Sequence, residues 1–276
     1  MVKELQRFRL DNRVAIITGG AGLLGVEHAE AIAEAGGIPV FWDINLSSAK
    51  SHALRISKQL NVECQAFEVD VTSNKSIKNG LESTLSKHNR VDILINNAAS
   101  NPQANETAGK NWSRFEDFSI KMWEKDIAIG LTGAFLCSQE VGNHMAKAGK
   151  GVILNIASDL SVIAPDQRIY QKNGLKKDEQ PVKPVTYSVV KHGLIGLTKY
   201  LATYWAEMGV RVNSISPGGV YTNQPEEFVS KLKNLIPMGR MAEKDEYKAA
   251  VIFMVSDASS YMTGANMVID GGRTCW

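Results

Sequence analysis

The 276-residue chain is poor in several features that would place it at once. It has three cysteines, Cys64, Cys137 and Cys275, an odd number set far apart. That excludes a secreted disulfide framework and the clustered spacing of a thiolate metal site, and it fits a reducing cytoplasm. Charge of one sign is also scarce. The formal net charge is +2, so no global basic field suits nucleic acid, and any basic patch must be local. No apolar run approaches the roughly 18 residues of a membrane span, and the opening MVKELQRFRLDNR has no apolar signal segment. Repeats, heptads and low-complexity linkers are missing too. These absences predict a soluble, unprocessed, cytoplasmic protein with a small-molecule partner and with no nucleic acid, membrane or metal.

What is present is a core-forming chain, 44% hydrophobic and within the length of one large domain, 1–276. Short β-branched runs alternate with amphipathic stretches: RVAIIT, LLGVEHAEAIAEAG, IPVFWD, SSAKSHALRISKQL, VECQAFEVD, SNKSIKNGLESTLSKH, VDILINNA. The second half continues with GVILNIAS, a helix over 186–207, VRVNSISPGG, a helix near 247–256 and NMVIDGG. The strands are continuous apolar runs, as in a parallel sheet covered on both faces. The pattern predicts an α/β fold of Rossmann type: a doubly wound, seven-stranded parallel sheet with helices on both sides. Two stretches break the rhythm, SNPQANETAGKNWSRFED after the fourth strand and an insertion at 159–184 after the fifth. Both follow carboxyl ends of strands, where such sheets place their ligands.

After the first strand comes TGGAGLLG, 18–25, opening a helix. Glycine here lets a pyrophosphate approach the backbone, and the helix N-terminus offers it N–H groups and a positive dipole end. Asp43 ends the next strand about 20 residues on. It is either a turn residue preparing a helix cap at Asn45 or Ser47, or an acceptor for ribose hydroxyls that repels a 2′-phosphate. The second reading favours NAD(H) over NADP(H).

Tyr187 and Lys191, in YSVVK, lie four apart and so on one face of a helix. Alone such a pair is more often a surface contact. Ser158, ending the strand GVILNIAS, changes the balance, because it lies at the same sheet edge as the glycine turn. Tyrosine, with an ordinary pKa of about 10, is a poor base near neutrality, but a neighbouring ammonium and a positive nicotinamide favour its phenolate. Ser158 would then orient a substrate oxygen while Tyr187 exchanges a proton with it.

These residues, with VDVT at 69–72, NNAA at 96–99, PGGVYT at 217–222 and the ending MVIDGG, resemble the short-chain dehydrogenase/reductase family over nearly the whole chain. The resemblance implies an NAD(P)-dependent oxidoreductase with Ser158, Tyr187 and Lys191 catalytic and Lys191 also on the ribose. It implies a cofactor bound by Gly19, Gly22, Leu24, Gly25 and Asp43. Asp70 and Val71 would flank the adenine, Asn97 and Ala98 the ribose and nicotinamide side, and Pro217, Gly218, Val220 and Thr222 the carboxamide. In isolation Asn96 and Asn97 read as a strand-terminating turn. The resemblance also implies a homodimer or homotetramer joined through a four-helix interface of 120–147 and 186–207. More loosely, the insertion and the ending ASSYMTGANMVIDGGRTCW look like bacterial members linked to surface-sugar and flagellin modification, which suggests carbohydrate chemistry.

Three departures stand out. The family's asparagine in DIAIGLTGAFLCSQ is Gly130 here, which would leave a backbone carbonyl and room for water, or a weakened proton relay. The second glycine of the turn falls one residue early, as in the family's extended branch, although length and YSVVK favour the shorter one. Serine and tyrosine are 187 − 158 = 29 positions apart, where about a dozen is usual in the family. The extra residues are either a solvated loop or a substrate lid in which Arg168 and Tyr170 cover the crevice and lysines favour a phosphate or carboxylate. The leading expectation is hydride transfer at a secondary alcohol or ketone of a polar, sugar-like substrate. The alternatives are an epimerase or dehydratase using NAD transiently, and a non-catalytic dinucleotide-binding regulator.

Overall fold

The computed structural model describes residues 2–100 and 112–276. Most of the stretch expected to break the pattern after the fourth strand, 101–111, lies outside the described residues. After a one-turn helix α1 (Lys3–Gln6), the chain alternates as its hydrophobic pattern requires: β1 (Val14–Thr18), α2 (Leu23–Glu34), β2 (Ile38–Asp43), α3 (Leu46–Leu60), β3 (Gln65–Glu68), α4 (Asn74–His88) and β4 (Ile93–Asn96). It continues through α5 (Ile120–Ile127), α6 (Gly133–Lys147), β5 (Gly151–Ile156), α7 (Val185–Tyr204), β6 (Val210–Pro217), α8 (Glu226–Lys233), α9 (Lys248–Val255) and β7 (Asn266–Ile269).

The seven strands form one parallel sheet in the order β3-β2-β1-β4-β5-β6-β7. The order reverses between β1 and β4, and that reversal opens a crevice at the carboxyl edge. Register is tight around it: Ile17 pairs with Phe41 on one side and with Ile95 on the other. β1, β4 and β5 are buried along their full length, because helices cover both faces. One layer packs Ala29 and Ile32 of α2, Ala53 and Ile56 of α3, and Val251 and Met254 of α9 on the sheet. The other packs Ile77 of α4, Val141 and Met145 of α6, Leu201 of α7 and Trp205 just past its end.

Local chemistry sets the helix ends. Asn45 caps α3, its side chain accepting from the Ser48 amide, and Asn61 and Asn89 end α3 and α4 in the left-handed conformation. α5 and α6 form one rod interrupted by a π turn at Ala128–Thr132. Such a bulge re-aims the residues on either side of it. Asp126 of the rod accepts a hydrogen bond from Thr186 at 2.6 Å, both groups buried, which fixes the start of α7. A buried polar seam crosses the sheet: Asn96 donates to Asn155 (2.8 Å) and Ser138 (3.0 Å), and Asn155 donates to Thr198 (2.8 Å). Paired in this way, amides in the core select one strand register over others. Asn96 is therefore a core residue, not a turn. Among the described residues no helix is long and apolar enough to cross a membrane, no cluster could hold a metal ion, and all three cysteines are free.

Candidate active site

A cavity of about 1150 Å³ runs along the carboxyl edge of the sheet. Its first half is built by the β1–α2 turn. Gly19 has φ +58°, and a Cβ there would lie 2.9 Å from the Ala98 backbone, so only glycine fits. Gly22 stands at the N-cap of α2 and offers no side-chain cap, which leaves first-turn amides for an anion beside Gly22, Leu23 and Leu24 of the wall. Gly25 is not on the wall. A Cβ there would meet the Gly19 carbonyl at 2.3 Å, so its contribution is to let the helix close on the turn. Asp43 lines the cavity and accepts from the amides of Ala21 (2.9 Å) and Asn45 (2.8 Å), tying the turn to the end of β2. Asp70, Val71, Asn97 and Ala98 follow along the wall, and Asn97 donates to the carbonyls of Thr18 and Gly19. Pro217, Gly218, Val220 and Thr222 close the far side. An uncapped helix, glycines where a side chain would intrude and a carboxylate at the second strand end suit a nicotinamide dinucleotide.

The second half holds the reactive groups. The Tyr187 hydroxyl lies 3.3 Å from Ser158 Oγ, and both line the cavity. Lys191 Nζ donates to the Ile156 carbonyl at 2.7 Å and stands 5.8 Å from the centre of the Tyr187 ring. A second ammonium is closer: Lys183 Nζ lies 3.7 Å over the same ring. Burial lowers the pKa of Lys191, with Lys183 adding repulsion, and lowers that of Lys183 as well, each to about 8. The expected depression of the Tyr187 phenol does not occur in the chain itself. Burial raises its pKa, and the Ser158 hydrogen bond offsets this only in part. At neutral pH the pocket thus pairs a protonated phenol with protonated lysines.

The insertion 159–184 reaches this pocket through Tyr170, Gln171, Lys172 and Lys183. Tyr170 packs against Phe228 with ring centres 5.6 Å apart. Arg168, the other residue expected there, is not on the wall. Its side chain is 80% exposed and held by Asp166 at 2.6 Å. Of the insertion's lysines, 176 and 177 stay on the surface and only Lys172 and Lys183 line the cavity. The room for water expected beside Gly130 is not there: a Cβ at Gly130 would come 2.6 Å from Val190 Cγ1, so Val190 fills that space. Among the wall residues that escaped the sequence reading, three carry charge or an aromatic ring close to the insertion or the chain end: Glu227, Phe228 and Arg273. Glu227 and Phe228 belong to α8, whose acidic first turn and basic last turn after Pro225 carried a readable helix signal. Arg273 follows the last strand, with nothing local to mark it.

The family model of short chain dehydrogenases matches residues 13–170, and that of Enoyl-(Acyl carrier protein) reductase matches 178–274. The chain belongs to the short-chain dehydrogenase/reductase family. It is 35% identical over 272 residues to D-threitol dehydrogenase of Mycolicibacterium smegmatis, covering 97% of this chain and 95% of that protein. NAD-dependent glycerol dehydrogenase of Listeria innocua is 32% identical over 272 residues, covering 97% and 96%. A gluconate 5-dehydrogenase from Burkholderia cenocepacia, solved with NADP and tartrate, superposes with a TM-score of 0.85 at 28% identity over 99% of both chains. The protein is a nicotinamide-dependent oxidoreductase of this family, whose members named here use either NAD or NADP.

Proposed function

We propose that this short-chain dehydrogenase/reductase interconverts a secondary alcohol and ketone on a polyol or sugar alcohol, with NAD(H) preferred over NADP(H). One observation carries the reading: the Tyr187–Ser158 pair opens into a pocket walled by the polar groups of Asp159, Gln171, Lys183 and Arg273 and continuous with the glycine-turn half of the cavity. The polyol names of the relatives support it. The bound cofactor supplies the hydride acceptor or donor. The rest falls to the chain. Tyr187 exchanges a proton with the substrate oxygen at its hydroxyl, and Ser158 Oγ fixes that oxygen. Lys191, charged below about pH 8, favours the phenolate as it forms and reaches the ribose. Asp43 accepts the adenosine ribose hydroxyls and disfavours a 2′-phosphate. The remaining cofactor contacts are the wall residues Gly19, Gly22, Leu24, Asp70, Val71, Asn97, Ala98, Pro217, Gly218, Val220 and Thr222. The insertion acts as a lid that excludes water from the reacting carbon. Copies of the chain associate through α5–α6 and α7, where Phe135, Val189, Tyr200 and Tyr204 are exposed, to give a cytoplasmic dimer or tetramer.

The test is absorbance of reduced nicotinamide when the protein meets glycerol, threitol, xylitol and mannitol with NAD or NADP. Accumulating NADH with one or more polyols is the expected result. No reduction with any of them, together with cofactor that co-purifies tightly, contradicts the proposal and points to transient redox chemistry such as epimerisation.

A further inference from the structure

The insertion delivers to the pocket an ammonium that takes no part in the chemistry proposed above. Pro184 stands at the N-cap of α7 and keeps the residue before it out of the helix. The segment is pinned twice: the Val182 amide donates to Ser113 Oγ at 3.2 Å and the Lys183 amide to Gln167 Oε1 at 2.8 Å. Lys183 is thereby set on the cavity wall, its Nζ 3.7 Å from the centre of the Tyr187 ring. A lysine that merely covered the ring would lay its methylene stem there and carry the charge out to solvent. Here the ammonium itself faces the ring. It is closer than that of Lys191, which stands 5.8 Å from the ring centre and is committed to the Ile156 carbonyl.

The other charges around the phenol leave room for such a cation. Asp159 and Arg273 both act on it, but they pair with each other at 2.5 Å and largely cancel. Tyr170 is neutral, because burial raises its pKa. Farther round the wall, Glu227 of α8 is paired with Lys231, and Lys125 of α5 and Lys172 line the cavity. Among the described residues only Lys183 and Lys191 stand over the Tyr187 ring. Burial makes the phenol a poorer base, so the site needs positive charge at that ring to draw off its proton. A cation over the face of a neutral ring is attracted by its quadrupole, and it is attracted far more by the full charge of a phenolate.

Resting on the reading of Tyr187 as the proton carrier, we infer that Lys183 is a second ammonium serving it: the insertion holds this cation over the ring, where it favours the phenolate together with Lys191. Lys183 is then a positioning residue of the proton transfer, and the insertion is part of the machinery as well as a lid.

The experiment follows kcat/KM for the best polyol against pH at saturating NAD, where the acid limb reports the base in the cofactor complex. The wild type is compared with Lys183→Met, which keeps the stem and loses the charge, and with Lys183→Arg, which keeps a cation. The limb should move up by about 1–2 pH units in Lys183→Met, the effect of removing an opposite charge at this range. At pH 7 the variant should therefore lose about 10–100-fold, and the loss should shrink toward pH 10. Lys183→Arg should return the limb to within about half a pH unit of the wild type. Melting temperature and NADH binding by fluorescence report the fold and the cofactor site. A loss equal at every pH, or a limb displaced as far by arginine as by methionine, marks a packing role and overturns the inference. Should neither Lys183→Met nor Lys183→Gln fold, the coupling is read in reverse, by nuclear magnetic resonance of isotope-labelled lysine in the NAD complex. The resonance missing from Lys183→Arg should titrate at lower pH in Tyr187→Phe than in the wild type; the same titration in both overturns the inference. If Tyr187→Phe keeps full turnover, the reading of Tyr187 fails and this inference with it, whereas an inactive Tyr187→Phe beside an unmoved limb in Lys183→Met defeats the inference alone.

Discussion

Replacing Gly130 by asparagine restores the residue type that family resemblance leads one to expect there, and the structure says the protein will not accept it. Gly130 is buried in the π turn between α5 and α6, facing α7. A Cβ would stand 2.6 Å from Cγ1 and 3.5 Å from Cγ2 of Val190, which is 5% exposed and immediately precedes Lys191. Valine in a helix is confined largely to one χ1 rotamer, so its methyls cannot swing aside and the helices must part. Overpacking of this kind costs about 1–3 kcal/mol, and the better helix propensity of asparagine returns only a few tenths. For a chain of this size the melting temperature should fall by about 2–6 °C. Val190→Ala in the same background removes the clash, so melts of the parent, both single variants and the double variant should show a favourable coupling of at least about 1 kcal/mol. Turnover should not rise in Gly130→Asn, because displacing Val190 disturbs the turn of α7 that carries Lys191. A single variant as stable as the parent and faster, or a double variant that merely sums the two singles, would refute the packing argument.

If Asp43 accepts the adenosine ribose hydroxyls as proposed, Asp43→Ala should weaken NAD binding about tenfold, with little effect on NADP, whose 2′-hydroxyl carries a phosphate; isothermal titration with both cofactors checks this, and equal losses would contradict it. Stability should depend on pH in a defined direction. Lys191 and Lys183 titrate near pH 8 when folded and near 10.5 when unfolded, so between these values the unfolded chain binds more protons and stability rises with pH. The Tyr187 phenol, raised above its ordinary value, opposes this only beyond about pH 10. Urea midpoints from pH 8 to 10 should therefore climb in the wild type and climb less in Lys191→Met; a flat profile in both sinks the burial argument.

Much of the fold was legible because its signals are local. The apolar runs of β1, β4 and β5 and the TGGAGLLG turn declare a parallel sheet with a glycine turn running into an uncapped helix, without reference to distant residues. Ser158, Tyr187 and Lys191 were also readable, since strand end and helix face fix where each points. What escaped depends on contacts across the chain. No pattern near Gly130 announces that Val190, 60 positions later, fills its space. Arg168 and Tyr170 are equivalent candidates in the sequence, yet a one-turn helix sends the first to solvent beside Asp166 and the second into the cavity. Arg273 meets Asp159 only after the sheet is complete. The Tyr187 pKa followed burial rather than the neighbouring charges, and burial is a tertiary quantity.

The central claim, that Tyr187 exchanges the proton in nicotinamide-coupled alcohol oxidation within this crevice, is tested most directly with Tyr187→Phe. The phenyl ring keeps the shape of the site and loses only the hydroxyl 3.3 Å from Ser158. Measured on the best polyol substrate, kcat should fall by about 10²–10⁴, with NADH affinity within about twofold of the parent. Turnover preserved in the folded, cofactor-binding variant would contradict the account.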